Sequence, residues 1–123
     1  MVPRSLRFWF VVHFVVDFVF AIPLLLAPVW LLTLFGFANP DPFTARLVGA
    51  ALLGIGGESL LGWEGSIEAF RAMLNLKIIW SLAAIGGIML TLLVSGGPLM
   101  AYLLLLIFAG FSGLWMYYRV LLR

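Results

Sequence analysis

The chain has 123 residues, of which 65% are hydrophobic and only 10% charged, and its mean hydropathy is +1.22. A soluble domain carries roughly 25% charged residues, so this composition excludes a water-soluble globular fold, and a net charge of +2 is too small to point to nucleic acid. The absence of cysteine excludes disulfides, thiolate metal sites, iron–sulfur clusters and cysteine nucleophiles.

Four long apolar stretches fill the chain, at about residues 6–34, 42–62, 66–94 and 98–122. Crossing a bilayer core takes about 20 helical residues. The expected fold is therefore all-α: an integral membrane four-helix bundle formed by a single domain, 1–123. The first stretch is too long for a secretory h-region and lacks a small-residue cleavage site, so it reads as a retained helix.

Arg4 and Arg7 precede the first stretch, and Ser5 is placed to cap it. Pro23 and Pro28 lie inside it, and each removes a backbone hydrogen bond, so a kink or a break near Ala27-Pro28 is expected. Trp30 falls where an interfacial aromatic belongs. Gly36 then suits a helix C-terminus, and Asp41-Pro42 reads as an N-cap followed by proline in the first helical position.

The second helix carries Arg46 near its start and then Gly49, Ala50, Gly54, Gly56 and Gly57. Ala50 and Gly54 form a small-xxx-small pair that Gly57 extends, a face expected to pack against another helix of the same chain. Trp63-Glu-Gly-Ser66 makes the next turn, with Ser66 placed as an N-cap. Residues 67–77 are amphipathic and read as an interfacial lead-in to the third helix, which runs through Trp80 and the Ala83/Gly87 pair. Ser95-Gly-Gly-Pro98 is a tight turn. The last helix carries Ala109/Gly113 and ends in Trp115, Tyr117, Tyr118, Arg119 and Arg123, an aromatic belt followed by basic anchors.

With four crossings, Arg4, Arg7, Arg71, Lys77, Arg119 and Arg123 fall on one side and only Arg46 on the other. The positive-inside rule then places both termini in the cytoplasm, and the expected location is a bacterial inner membrane.

The residues that could carry chemistry lie within the apolar stretches. His13 and Asp17 are four residues apart and share a helix face. At 1.5 Å per residue His13 lies roughly 10 Å into the membrane, with Asp17 deeper. Glu58 and Lys77 fall at about the depth of His13. Ionisable groups in a membrane are costly and face the protein interior, so His13, Asp17, Glu58 and Lys77 form a candidate intramembrane polar cluster. It either fixes helix register or binds a ligand, and an inward pair among His13, Asp17 and Glu58 is expected in contact. A single histidine without a zincin or clustered-carboxylate pattern implies no metal, and no cofactor is implied. Ser59, Ser66 and Ser112 have no nucleophile elbow around them. Gly54-Ile-Gly-Gly57 follows no strand and is not a phosphate loop.

The stretch RLVGAALLGIGG at residues 46–57, followed by a short amphipathic segment before the third helix, resembles the small DoxX-like four-helix membrane proteins and neighbouring bacterial families of unknown function. That resemblance implies a four-helix integral membrane protein, associated in some members with respiratory or redox complexes. It carries no catalytic residue to this chain. The small multidrug transporters offer the same size and helix count, with Asp17 a loose counterpart of their membrane acid, but their glycine and aromatic pattern is missing here.

Two functional classes follow. The first is a small membrane protein that binds an amphiphile or serves as accessory subunit of a membrane complex, its partners being the lipid bilayer and a hydrophobic small molecule or membrane subunit. The alternative is a small dimeric proton-coupled transporter using Asp17 and Glu58. A lipid-acting enzyme comes third, with Glu58 and His13 as acid–base candidates and no reaction that the sequence names.

Overall fold

The computed structural model describes all residues, 1–123, and is helical throughout, with no strand. The helices are α1 (Arg4–Leu26), α2 (Pro28–Leu34), α3 (Pro42–Leu61), α4 (Ile67–Val94) and α5 (Leu99–Leu121). Four of them, α1, α3, α4 and α5, are long and apolar enough to cross a membrane. The chain forms two compact units, Met1–Ser66 and Ile67–Arg123.

In the first unit, proline chemistry decides where the first apolar stretch breaks. Pro28 has no N–H to give to the turn before it. Ala27 leaves helical geometry (φ −144°, ψ 59°), and α2 restarts with Pro28 in its first turn. Pro23 is accommodated inside α1. Ser5 is not the cap: α1 begins at Arg4, with Pro3, two residues before Ser5, as its N-cap. Gly36 ends α2 with φ +95°, a conformation that costs glycine little. Phe37 N–H donates to Leu32 O and Gly36 N–H to Thr33 O, both at 3.0 Å, the hydrogen-bond pattern of a Schellman motif. Asp41 caps α3 as expected, accepting from Phe43 N–H at 3.1 Å and Thr44 N–H at 3.3 Å, and the Thr44 hydroxyl donates to the same carboxylate.

Helices α1 and α3 pack antiparallel. The buried positions of α1 are Leu6, Phe10, His13, Asp17, Ala21 and Leu24, and those of α3 are Ala45, Gly49, Leu52, Gly56 and Ser59. Both sets step by three and four residues, the spacing of a coiled-coil seam. In lipid, apolar burial gives no drive for association; close packing and hydrogen bonds do that work. Two glycines permit it. A Cβ added at Gly49 would lie 3.1 Å from Leu24 Cβ and 3.3 Å from the Ala21 carbonyl oxygen. One added at Gly56 would lie 2.7 Å from Asp17 Cβ.

The expectation for the small-residue face is therefore corrected by one residue. Ala50 and Gly54 are exposed, and an added Cβ at Gly54 or Gly57 meets nothing within 4 Å. A shift of one position turns a helix by about 100°, which exchanges the packed face for an outer one.

Arginines fasten the two ends of this helix pair. Arg7 donates to the carbonyls of Trp63 and Gly65, just past the end of α3. Arg46 Nε donates to Leu25 O at 3.0 Å, in the last turn of α1. Terminal carbonyls have no intrahelical partner and carry the negative end of the helix dipole, so a guanidinium there satisfies both.

In the second unit the amphipathic lead-in and the third apolar stretch are one helix, α4, of 28 residues. At 1.5 Å per residue it is about 42 Å long, more than the ~30 Å hydrocarbon core. Gly96 (φ +69°) makes the turn, and Pro98 caps α5. Trp80 packs edge-on to Phe108, and Arg119 Nε donates to Asn75 Oδ1 at 2.8 Å. The Ala83/Gly87 and Ala109/Gly113 pairs are exposed, and added Cβ atoms at Gly87 and Gly113 meet nothing within 4 Å.

Candidate functional site

The α1–α3 seam places an acid and an imidazole side by side. His13 Nε2 lies 3.3 Å from Asp17 Oδ1, and their side chains are only 7% and 6% exposed. The four-residue spacing on a continuous helix sets their proximity. Packing on α3 sets their burial. Gly56 lies directly against the Asp17 side chain, where a Cβ would stand 3.2 Å from Oδ2 as well as 2.7 Å from Cβ. Ser59, one turn further along α3, is fully buried. Its hydroxyl donates to Ile55 O at 2.8 Å on its own helix.

An ionised carboxylate buried in apolar surroundings is costly, and the imidazole offsets part of that cost. The pair holds its proton in one of two ways: as imidazolium facing carboxylate, or as neutral imidazole hydrogen-bonded to carboxyl. Either form presents a polar spot in otherwise apolar surroundings. Its chemistry suits a hydrogen-bonding head group or the movement of a proton.

The four sequence-expected residues are not all brought together. His13 and Asp17 meet. Glu58 does not join them: it is exposed, on a different side of α3 from the buried Gly56 and Ser59. Lys77 belongs to the second unit, where it is 2% exposed and its ammonium lies 5.2 Å from the centre of the Trp115 ring. That is cation–π distance, and the Trp115 ring in turn stacks on Phe111. Elsewhere too, His, Cys, Asp and Glu form no group of three that could hold a metal ion.

Gly56 shapes the site and Gly49 packs farther along the seam, against Leu24 and Ala21; the Ala50/Gly54/Gly57 face expected from the sequence includes neither. The signal was present as matching seven-residue steps: Gly49 to Gly56 on α3, and Phe10 to Asp17 to Leu24 on α1. The arginine-to-carbonyl bonds of Arg7 and Arg46 have no sequence signature, because their acceptors are backbone groups.

Fold and site together define a helical protein with four helices of membrane-crossing length and a buried acid–imidazole pair. No protein-family model matches the chain, and neither a curated protein nor a solved structure matches it.

Proposed function

We propose that this chain is a small multi-pass protein of a bacterial inner membrane, with α1, α3, α4 and α5 crossing the bilayer and both termini cytoplasmic. It acts as an amphiphile-binding or accessory subunit of a membrane complex, not as an enzyme. The observation that carries the reading is the His13–Asp17 pair: two ionisable side chains 3.3 Å apart and nearly fully buried within an apolar helix. Such groups are costly there and mark functional sites by default. The loops are short, and the convergent polar groups lie inside the helices, where pockets of membrane proteins form. The likeness of residues 46–57 to DoxX-like proteins supports the same class.

The test is native mass spectrometry of the protein released from nanodiscs made with bacterial polar lipids, on the parent, Asp17→Asn and Glu58→Gln. Asp17→Asn keeps shape and removes charge. The parent and Glu58→Gln are expected to retain a bound amphiphile or subunit that Asp17→Asn loses while its thermal melt shows a folded protein. Equal retention by all three would reduce the pair to a register-fixing device and end the functional claim.

A further inference from the structure

The charges of the second unit are confined to one end. From 78 to 118 no residue is charged. All its charges lie in the opening turns of α4 (Glu68, Arg71, Lys77) and the closing residues of the chain (Arg119, Arg123). Glu68 is the one acid among them, and it is committed to Arg71, 3.8 Å away on the same helix.

Arg119 and Arg123 have no carboxylate opposite them. Arg119 uses its Nε on Asn75 Oδ1. That bond orients the guanidinium while leaving its two terminal nitrogens unspent. Arg123 is exposed, four residues beyond it. Arg71 gives its Nε to the carbonyl of Leu122, which ties the last residues of the chain to α4. The end of the α4–α5 hairpin thus carries two guanidiniums, Arg119 held by Asn75 and Arg123 exposed, with exposed Tyr117 just before them. Exposed tyrosines of this kind lie at the level of lipid head groups.

A guanidinium matches phosphate in geometry, binding two of its oxygens at once. Placed at head-group level beside an exposed tyrosine, with four basic side chains in the unit to one acidic one, this end is complementary to an anionic phospholipid. We propose that Arg119 and Arg123 form a binding site for the phosphodiester head group of an anionic phospholipid, with Asn75 positioning Arg119 and the Arg71–Leu122 bond holding the chain end in place. The site is separate from the His13–Asp17 pair, and the two proposals fail independently.

The experiment uses the full chain in nanodiscs of phosphatidylcholine with phosphatidylglycerol as the minor lipid. After release, native mass spectrometry reads which lipid stays bound. The parent is expected to retain phosphatidylglycerol well above its share of the bilayer. Near a charged surface each arginine contributes about fivefold in affinity, so Arg119→Gln with Arg123→Gln should cut the enrichment by about 25-fold at low salt. Glutamine at 119 can still donate to Asn75, so the fold is kept, and a thermal melt checks this. Arg4→Gln, a charge removed from the other unit, should leave the enrichment unchanged. Inorganic phosphate added in excess should not displace the lipid. Retention of the two lipids in bilayer proportion would overturn the proposal. So would an equal loss with Arg4→Gln, which would mean diffuse attraction, or displacement by phosphate, which would mean a site for the free ion.

Discussion

Gly56→Ala adds a single methyl group to the α1–α3 seam, and the structure sets its effect. The new Cβ would stand 2.7 Å from Asp17 Cβ. Carbon atoms in contact prefer about 3.5–4.0 Å, so the helices must separate by roughly 1 Å at this level. Asp17 Cβ is fixed to the α1 backbone and cannot turn away. Overpacking of this kind costs typically about 1–3 kcal/mol. Alanine also gains about 1 kcal/mol over glycine from helix propensity. Gly54→Ala makes the same chemical change on the same helix, in open space. It keeps the propensity gain and has no clash. Subtracting one variant from the other cancels propensity and leaves the contact, so Gly56→Ala should be less stable than Gly54→Ala by about 1–3 kcal/mol. Reversible unfolding in mixed micelles, with denaturing detergent as the variable, measures the difference. Equal stability of the two variants would mean that α1 does not approach α3 at Gly56, and the seam described above would be wrong.

Three further outcomes are expected. The carboxyl of Asp41 is held below its ordinary value of 3.8, chiefly by the hydroxyl of Thr44; desolvation opposes this, and the N–H groups of Phe43 and Thr44 add to the lowering. A lowered folded value means that this stabilisation is complete above pH 3.8 and is lost as pH falls through the lower folded value. A melt of the parent should therefore weaken on strong acidification by more than a melt of Asp41→Asn, and identical acid profiles would refute the cap's contribution. Arg46→Gln removes the guanidinium from the Leu25 carbonyl. The bond is exposed, so the loss should be at most about 1 kcal/mol, with amide exchange near Ala27 accelerated. An unchanged exchange pattern would show that the bond does not hold the end of α1. Cysteines placed at Asn39 and at Gly65 should react with an impermeant label from opposite faces of the membrane. Labelling of both from outside would refute four crossings with cytoplasmic termini.

Much of the local architecture is legible in the residues themselves. The four long apolar helices, each of membrane-crossing length, follow from hydropathy and length alone. The break at Ala27-Pro28, the Asp41-Pro42 start of α3 and the Gly36 stop of α2 follow from chemistry confined to a few neighbouring residues: a missing N–H, a side chain that replaces a helical partner, and a backbone without a Cβ. The contact of His13 with Asp17 is local as well, since four residues make one turn.

What the tertiary structure decided is which side of each helix faces a neighbour. Helix α3 is apolar almost all round and carries small residues on two adjacent faces, Ala50/Gly54 and Gly49/Gly56. In water an amphipathic helix declares its inner face by polarity, whereas lipid and protein interior are equally apolar and leave no such mark. Only the side chains that α1 presents, Asp17 at one level and Leu24 with Ala21 at another, select Gly56 and Gly49 as the positions where nothing larger fits. The same choice leaves Glu58 exposed and so separates it from Asp17, although both carboxylates lie within apolar stretches of the sequence. That phase is a property of two helices in contact, not of either one alone.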